Sequence, residues 1–400
     1  MIRTSKHIAS AANQNKLDLL DTLYSDYKEL LQSYVKMILN EQLPQKSFLS
    51  SKDLPTINSI THSQWKQVAY KQATETVKSL VKKTRDKTFK KYKYIYAKCI
   101  KNEIHTNFTS KRFKDLNINF IKRIPSINIQ NLSIPIDNRL FDVREGNSFD
   151  EFIRLKSPYF QNGKKRSITL NIPLKHHRQS NKFLKNTWTR KNTIQLKKIK
   201  GQFYLNLFWE QPDAIKKESN KVVGIDVGYK KLISSSSGVH YGQELNKVYD
   251  KISRKQQGSK KFKRALIERN ELINFYVKEF ISQEQPDEVV IESLKNVKHK
   301  SSGKVYKKIM NKLQHWSYDR TFNKLEQLSE SKGFTIKKVD PAYTSQTCSK
   351  CGSVHKESRK GELYECVNCG MKLDADYNAA LNILQRGAYG PSSNKTELST

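Results

Sequence analysis

Acidic residues are scarce in this chain: Asp and Glu number 38 against 74 Lys and Arg over 400 residues, leaving a formal charge of +36 at pH 7. The excess runs along the whole chain instead of gathering in one arm, which makes a polyanion the natural partner. Cysteine is sparser still, five in all, too few for a disulfide-dense secreted scaffold. No apolar run reaches membrane-spanning length, no signal peptide is evident at the N-terminus, and neither a basic amphipathic anchor nor a lipidation signal is present. The expected location is therefore the cytoplasm, with no membrane partner. There is no solenoid repeat and no long low-complexity tract. The length suffices for two or three domains, each with its own core.

Four of the five cysteines stand close together near the C-terminus, in TCSKCGSVHKESRKGELYECVNCGMKLDADYNAALNIL. Cys348, Cys351, Cys366 and Cys369 have the spacing of a four-thiolate zinc ribbon, each Cys-x-x-Cys turn offering two sulfurs to one tetrahedron. Two disulfides would satisfy the same count only in an oxidising compartment. Cys99 lies apart in a basic helical stretch and is expected to be a free thiol.

Hydrophobic periodicity divides the chain. A short strand is expected around residues 1–8. Over residues 15–43, Leu20, Leu23, Tyr27, Leu30 or Leu31, Tyr34 and Ile38 recur at steps of three and four, an amphipathic helix capped by Asn13 or Asn15 and closed before Pro44. A second helix starts near Ser63 with Trp65, Val68, Val77, Leu80 and Val81, then grades into KTFKKYKYIYAKCIK, where lysines alternate with aromatics as in nucleic-acid-binding surfaces. From about 107 to 215 the period falls to two. Ile168, Leu170 and Ile172 alternate, and IQLKKIKGQFYLNLFWE reads as two strands joined across Lys200 and Gly201, so a small β-barrel is expected. Between these strands SNKFLKNTWTRKNT mixes Phe183 and Trp188 with Lys182, Lys185, Arg190 and Lys191, which suits base stacking with phosphate contact or, equally, surface packing. A polar linker at 213–221 precedes an α/β pattern: the strands KVVGID, LISSSS, DEVVIES and FTIKKV, with helices near 258–283 and 311–332.

Asp226 and Glu292 end two of those buried strands, and Asp376 opens the apolar run after the second cysteine pair. Singly, each has a plain structural role open to it: bonding a turn backbone, ending a strand, or, for Asp374 and Asp376 alike, capping a helix. Together, three carboxylates from separate elements suit metal-dependent phosphodiester cleavage, in which two hard cations about 3.5–4 Å apart stabilise the attacking and leaving oxygens. His299, in the basic segment KNVKHKSSGKVYKKIMNK, is not needed as a general base, because metal activation of water requires no histidine.

GIDVGYKKLISSSSG, VVIESL, YTSQTCSKCG, ECVNCG and DADYNAALNIL closely resemble the nuclease region of TnpB, the transposon-encoded RNA-guided endonucleases, and of the compact type V CRISPR effectors related to them. The likeness covers roughly residues 221–386. It implies a multidomain α+β protein: a split β-barrel wedge domain (1–9 and 107–215), an inserted helical recognition lobe (10–106), an RNase H-like, RuvC-type nuclease domain (216–342 and 373–386) and a zinc ribbon (343–372); the composition of GAYGPSSNKTELST, 387–400, itself predicts a disordered tail. The likeness also implies Asp226, Glu292 and Asp376 as catalytic Mg2+ ligands, structural Zn2+ on the four cysteines, and a guide RNA as cofactor. Target duplex DNA and its displaced strand would be the partners, in a prokaryotic cytoplasm or nucleoid. Asp376 is favoured over Asp374 because the family uses the acid directly before x-Asn-Ala-Ala. Ala375 stands where the family commonly has Arg, and NELINFYVKEFISQ departs from the family's Arg-rich helix, as in a divergent branch.

The resemblance implies an RNA-guided DNA endonuclease that cuts guide-complementary DNA beside a short licensing motif. A guide-RNA-directed binder without cleavage is the alternative, disfavoured by the three intact acids. A strand-transferring transposase is disfavoured by the ribbon before the last acid.

Overall fold

The computed structural model describes residues 1–101, 132–160, 167–185, 187–218, 220–294 and 318–389. The expectations for the basic segment 295–312 with His299 and for the stretch 102–131 fall outside these residues; of the tail expected to be disordered over 387–400, residues 387–389 instead complete a helix, with Gly387 packed against Val290, and the rest falls outside. The chain divides into two compact units, Ile2–Gln211 and Pro212–Thr400.

In the first unit, helix α1 (Gln14–Leu39) begins at Asn13, whose side chain accepts from the Lys16 N–H. It buries Leu20, Leu23, Tyr27, Leu30, Leu31, Tyr34 and Ile38 along one stripe, as the 3.6-residue period predicts. Helix α2 (Ser63–Lys101) packs Trp65, Val68 and Val77 into the same core. The backbone of KTFKKYKYIYAKCIK, Cys99 included, continues this helix.

The strands are β1 (Ile2–Ile8), β2 (Ser133–Asp137), β3 (Phe141–Glu145), β4 (Glu151–Phe160), β5 (Ser167–Leu174), β6 (Thr189–Ile199) and β7 (Gln202–Glu210). They form two antiparallel sheets, β1-β7-β6-β2 and β3-β4-β5. Lys200 and Gly201 both take positive φ, 49° and 81°, the two-residue hairpin turn whose twist matches the strands it joins. Along β7, Phe203, Leu205, Leu207 and Trp209 alternate into the core.

No closed barrel forms among the described residues, which corrects the expectation of a barrel. Helices cover the sheets instead: the Tyr24 hydroxyl donates to the Leu132 carbonyl, Gln72 Nε2 to the Ser133 carbonyl at 2.9 Å and Trp65 Nε1 to the Lys156 carbonyl at 2.9 Å. Peptide groups satisfied by helix side chains need no closing strand.

For the segment 180–193, open from the sequence to base stacking or to packing, the aromatics turn out to pack. The segment begins within helix α3 (Arg178–Leu184), whose Phe183 is buried between Trp188 and Trp209 at centroid distances of 5.0 and 5.7 Å. Arg190 makes a two-oxygen pair with buried Glu151 (2.8 and 3.0 Å) and lies 4.9 Å from the Trp209 ring. These residues pack the unit's own core.

The second unit carries a mixed sheet of β8 (Val222–Asp226), β9 (Ile233–Ser235), β10 (His240–Tyr241), β11 (Glu288–Glu292) and β12 (Thr335–Val339), in the order β10-β9-β8-β11-β12. β8, β11 and β12 run parallel, and β9 and β10 are antiparallel. The helices are α4 (Leu245–Ser253), α5 (Lys260–Glu284), α6 (Tyr318–Lys332) and α7 (Ala375–Tyr389). Val223, Ile225, Val289 and Ile291 share a core with Ile273, Val277 and Phe280 of α5 and Leu325 of α6. A second small sheet, β13 (Arg359–Lys360), β14 (Leu363–Glu365) and β15 (Lys372–Asp374), leads directly into α7. The architecture is a mixed α/β, multidomain one. No helix among the described residues is long and apolar enough to cross a membrane.

Candidate active site and metal centre

Two glycine-sized contacts bring α7 against the sheet. A Cβ on Gly224 would come within 2.5 Å of the Ala380 carbonyl oxygen and 2.6 Å of the Leu384 nitrogen, and a Cβ on Gly387 within 2.4 Å of Val290 Cγ2. Side chains alternate along a strand, so Gly224 and Asp226 share one face of β8, and Val290 and Glu292 share one face of β11. That face is the one α7 covers. β8 and β11 are adjacent and parallel, with Ile225 opposite Ile291, so both acids leave the sheet at the same end. Asp376 lies in the first turn of α7, and the three acids predicted from the sequence come together.

Their electrostatics follow from this proximity. Burial, followed by the charges of Glu292 and Asp376, pushes Asp226 up from 3.8 to about 8, with the Arg359 guanidinium and the Val227 N–H pulling the other way. Burial likewise raises Glu292, opposed by the Thr344 hydroxyl, which donates to its Oε1, and by Arg386 and Arg359. Asp376 Oδ1 receives Arg359 Nη2 at 2.8 Å, and its Oδ2 stands 3.5 Å from Lys231 Nζ.

Asp374 has a different task. Its Oδ1 accepts the N–H groups of Asp376 and Tyr377, both at 3.0 Å, and so caps α7. Its Oδ2 takes Lys231 Nζ at 2.5 Å. Against the upward push of burial, Lys231 and the Tyr377 N–H hold Asp374 below the usual carboxylate range. Buried Lys231 thus bridges the capping aspartate and the site aspartate.

Arg359 and Lys231 escaped the sequence reading. Arg359 sits in the run KESRKGE, indistinguishable there from a solvated charged loop, and Lys231 is one of two adjacent lysines.

The cysteines form a candidate metal centre. Among the described residues, Cys348, Cys351, Cys366 and Cys369 are the one set of three or more metal-binding side chains whose ligand atoms all lie within 4.8 Å of one another. Cys348 Sγ is 3.7 Å from Cys369 Sγ, and Cys351 Sγ is 3.6 Å from Cys366 Sγ. A tetrahedral site with Zn–S near 2.3 Å separates its sulfurs by about 3.8 Å, so the quartet fits zinc. Each Cys-x-x-Cys turn ends on a glycine of positive φ, Gly352 at 76° and Gly370 at 67°. The hydroxyl and N–H of Ser353, ahead of the Asn368 amide, bring the Cys351 thiol down to about 5, toward the thiolate that a metal requires.

Side chains on α7 fasten this ribbon to the site. Asn378 Oδ1 accepts the Ser349 N–H at 3.0 Å and its Nδ2 donates to the Thr347 carbonyl at 2.8 Å. Asn382 Nδ2 reaches the Thr344 and Thr347 carbonyls at 2.9 and 2.7 Å. Thr344, held from α7, in turn holds Glu292.

Residues 318–383, which include the ribbon and Asp376, match the Cas12f1-like TNB domain family. The chain is 27% identical over 219 residues to a CRISPR-associated endodeoxyribonuclease Cas12f1 of Sulfoacidibacillus thermotolerans, covering 46% of this chain and 50% of that one. It is 33% identical over 95 residues to TnpB-like protein L79 of Acanthamoeba polyphaga mimivirus, covering 24% of this chain and 18% of that one. Over these stretches the chain is similar to TnpB-like proteins and to compact type V effectors. Its alignments thus span half or less of the length of these curated relatives. The fold of the chain is similar to that of CasPhi-2 (Cas12j) solved with crRNA and phosphorothioate DNA, with a TM-score of 0.57 at 11% identity over 98% of this chain and 92% of that one.

Proposed function

We propose that this chain is an RNA-guided DNA endonuclease, cutting guide-complementary DNA beside a short licensing motif by hydrolysis at Asp226, Glu292 and Asp376. The observation that carries this reading is the carboxylate cluster at the end of β8 and β11, where Asp226 is forced toward about 8 by burial and by its two acidic neighbours. A cluster whose negative charges destabilise one another is matched to divalent cations, for which carboxylate oxygen is the preferred protein ligand. Mg2+ bound there would lower the pKa of the attacking water and stabilise the leaving oxygen.

The chain's own residues supply the positioning. Thr344 orients Glu292. Asp374 and Lys231 fix the start of α7 and thereby the place of Asp376. Arg359, already at Asp376, presents a guanidinium to the phosphate being cleaved. The sheet order β10-β9-β8-β11-β12, antiparallel first and parallel after β8, supports assigning residues 216–342 and 373–386 to an RNase H-like, RuvC-type domain and 343–372 to its zinc ribbon. Residues 1–9 and 107–215 would serve as the wedge and 10–106 as the recognition lobe, their positive charge holding the guide–target duplex by its phosphates. The relatives named as endodeoxyribonucleases support DNA as the substrate.

The test is to purify the protein from cells carrying its native flanking DNA, sequence the RNA that accompanies it, and challenge the complex with a randomised-flank target library and Mg2+. Guide-matched cutting beside one motif is expected from the wild type and none from Asp226→Asn. Guide-matched binding without cutting would replace this reading with the guided binder, and cutting by Asp226→Asn would remove Asp226 from the site.

A further inference from the structure

Four non-glycine residues among those described have positive φ: Glu41, Lys200, Gln285 and Tyr343. Three have local reasons. Glu41 follows the C-cap of α1, Lys200 forms the β6–β7 hairpin turn, and Gln285 is the left-handed C-cap of α5. Tyr343, at φ 61°, belongs to neither a helix end nor a hairpin.

This position would suit glycine. A left-handed conformation crowds the Cβ of any L-residue, and a bulky aromatic there is a conformational outlier. Packing does not repay the cost, because Tyr343 is 62% exposed. Hydrogen bonding does not repay it either: its carbonyl accepts from the N–H groups of Gln346 and Thr347, both at 3.0 Å, and from Thr347 Oγ1 at 2.8 Å, bonds that any residue would make. Among the described residues its hydroxyl meets no partner. An aromatic held in solvent at a strained position is a signal of use, since such strain collects at ligand sites.

The place of Tyr343 says what it would meet. The next residue, Thr344, is buried, with its hydroxyl on Glu292 and its carbonyl on Asn382, so the backbone carrying the ring is pinned to the acid cluster and to α7. The guanidiniums of Arg359 and Arg386 are near enough to act on Glu292, and Arg386 Nη1 donates to the Asp340 carbonyl at 2.8 Å, three residues before the ring. An exposed aromatic carried on backbone anchored at a carboxylate cluster that cationic side chains also serve is what an unpaired nucleotide binds, its base stacking and its phosphate paired.

We propose that Tyr343 is a stacking platform for an unpaired base of the strand delivered to the carboxylate cluster. The proposal rests on the nuclease reading only for the identity of that strand.

The test uses the full chain and a short oligodeoxythymidylate carrying a single 2-aminopurine, without added divalent cation and at an ionic strength that suppresses non-specific phosphate contacts. Binding, 2-aminopurine quenching and Tm are measured for the wild type, Tyr343→Trp, Tyr343→Phe and Tyr343→Gly. The wild type, Trp and Phe forms should quench. Tyr343→Gly should lose the quench and bind about 5- to 100-fold more weakly, the range that removal of one stacking aromatic gives. Its Tm should equal or exceed that of the wild type, because glycine relieves the strain.

A Gly variant that binds and quenches like the wild type overturns the platform, as does a wild type that never quenches. A Gly variant with a clearly lowered Tm also overturns it, since the ring would then serve folding. Mg2+-dependent cutting, read in the same preparations, separates the two readings. A quench that depends on Tyr343 without cutting leaves the platform standing and sinks the nuclease, and cutting with an indifferent Tyr343 does the reverse.

Discussion

Replacing Asp226 by asparagine should stabilise the metal-free protein, and the gain should depend on pH. The carboxyl of Asp226 ionises near 3.8 when free and near 8 when folded. Between those values the unfolded chain has released its proton while the folded chain still holds one, so stability falls as pH rises across the window. At pH 7 the interval from 3.8 is about three units, each worth about 1.36 kcal/mol, a ceiling of about 4 kcal/mol. Asp226 keeps partial access to solvent, and screening halves the expected figure to about 2 kcal/mol. For a unit the size of Pro212–Thr400 that is roughly 4–8 °C in Tm. Asparagine keeps the size of the side chain and removes the charge. Differential scanning calorimetry of the full chain should therefore show Asp226→Asn melting above the wild type at pH 7 and the two coinciding near pH 4. Added Mg2+ should raise the wild type and leave the variant where it was. A Tm difference that does not change with pH, or a variant that gains as much from Mg2+ as the wild type, would refute the account of the cluster.

Other perturbations probe the scaffold around it. Cys366→Ser should release zinc, read as metal content, and lower the Tm; unchanged metal and unchanged melting would remove the ribbon. Gly224→Ala places a Cβ against the α7 backbone and should cost about 1–3 kcal/mol and weaken cutting, with zinc content retained; a variant as stable and active as the wild type would show that the contact does not position Asp376. Lys231→Met should raise the Mg2+ concentration needed for half-maximal cutting by about 10- to 100-fold, and an unchanged Mg2+ titration would mean that the bridge to Asp374 is dispensable. Nucleic-acid affinity should fall steeply with salt, and a flat dependence would contradict phosphate contact as its source.

The four clustered cysteines were legible because their signal is local. Two Cys-x-x-Cys turns at this spacing have few other uses. The acids at 226 and 292 were legible for a related reason: each ends a short β-branched run, and a carboxylate there breaks the binary pattern. The helix stripe of α1 and the hairpin at Lys200 and Gly201 rest on periods and turn chemistry that hold within a few residues. The loop at 180–193 was ambiguous because aromatics and cations read the same whether they face a base or pack a core; only Trp209, brought alongside Phe183 from a neighbouring strand, decided for packing.

By itself, then, the sequence determined the periods of the long elements, the close spacing of the cysteine quartet and the choice of Asp226, Glu292 and Asp376 as candidate acids, all of which depend on near neighbours in the chain. Tertiary structure decided how the front-half strands associate, because the Leu132 carbonyl just before β2 and the Ser133 carbonyl within it are satisfied by Tyr24 and Gln72, helix side chains 108 and 61 residues away in sequence. It also separated Asp374 from Asp376, two residues that local chemistry leaves equivalent: one caps α7 and takes Lys231, while the other meets Arg359 beside Asp226 and Glu292. Charge partners such as these come from distant loops, and Coulomb interaction depends on distance in space, which the order of residues along the chain does not encode.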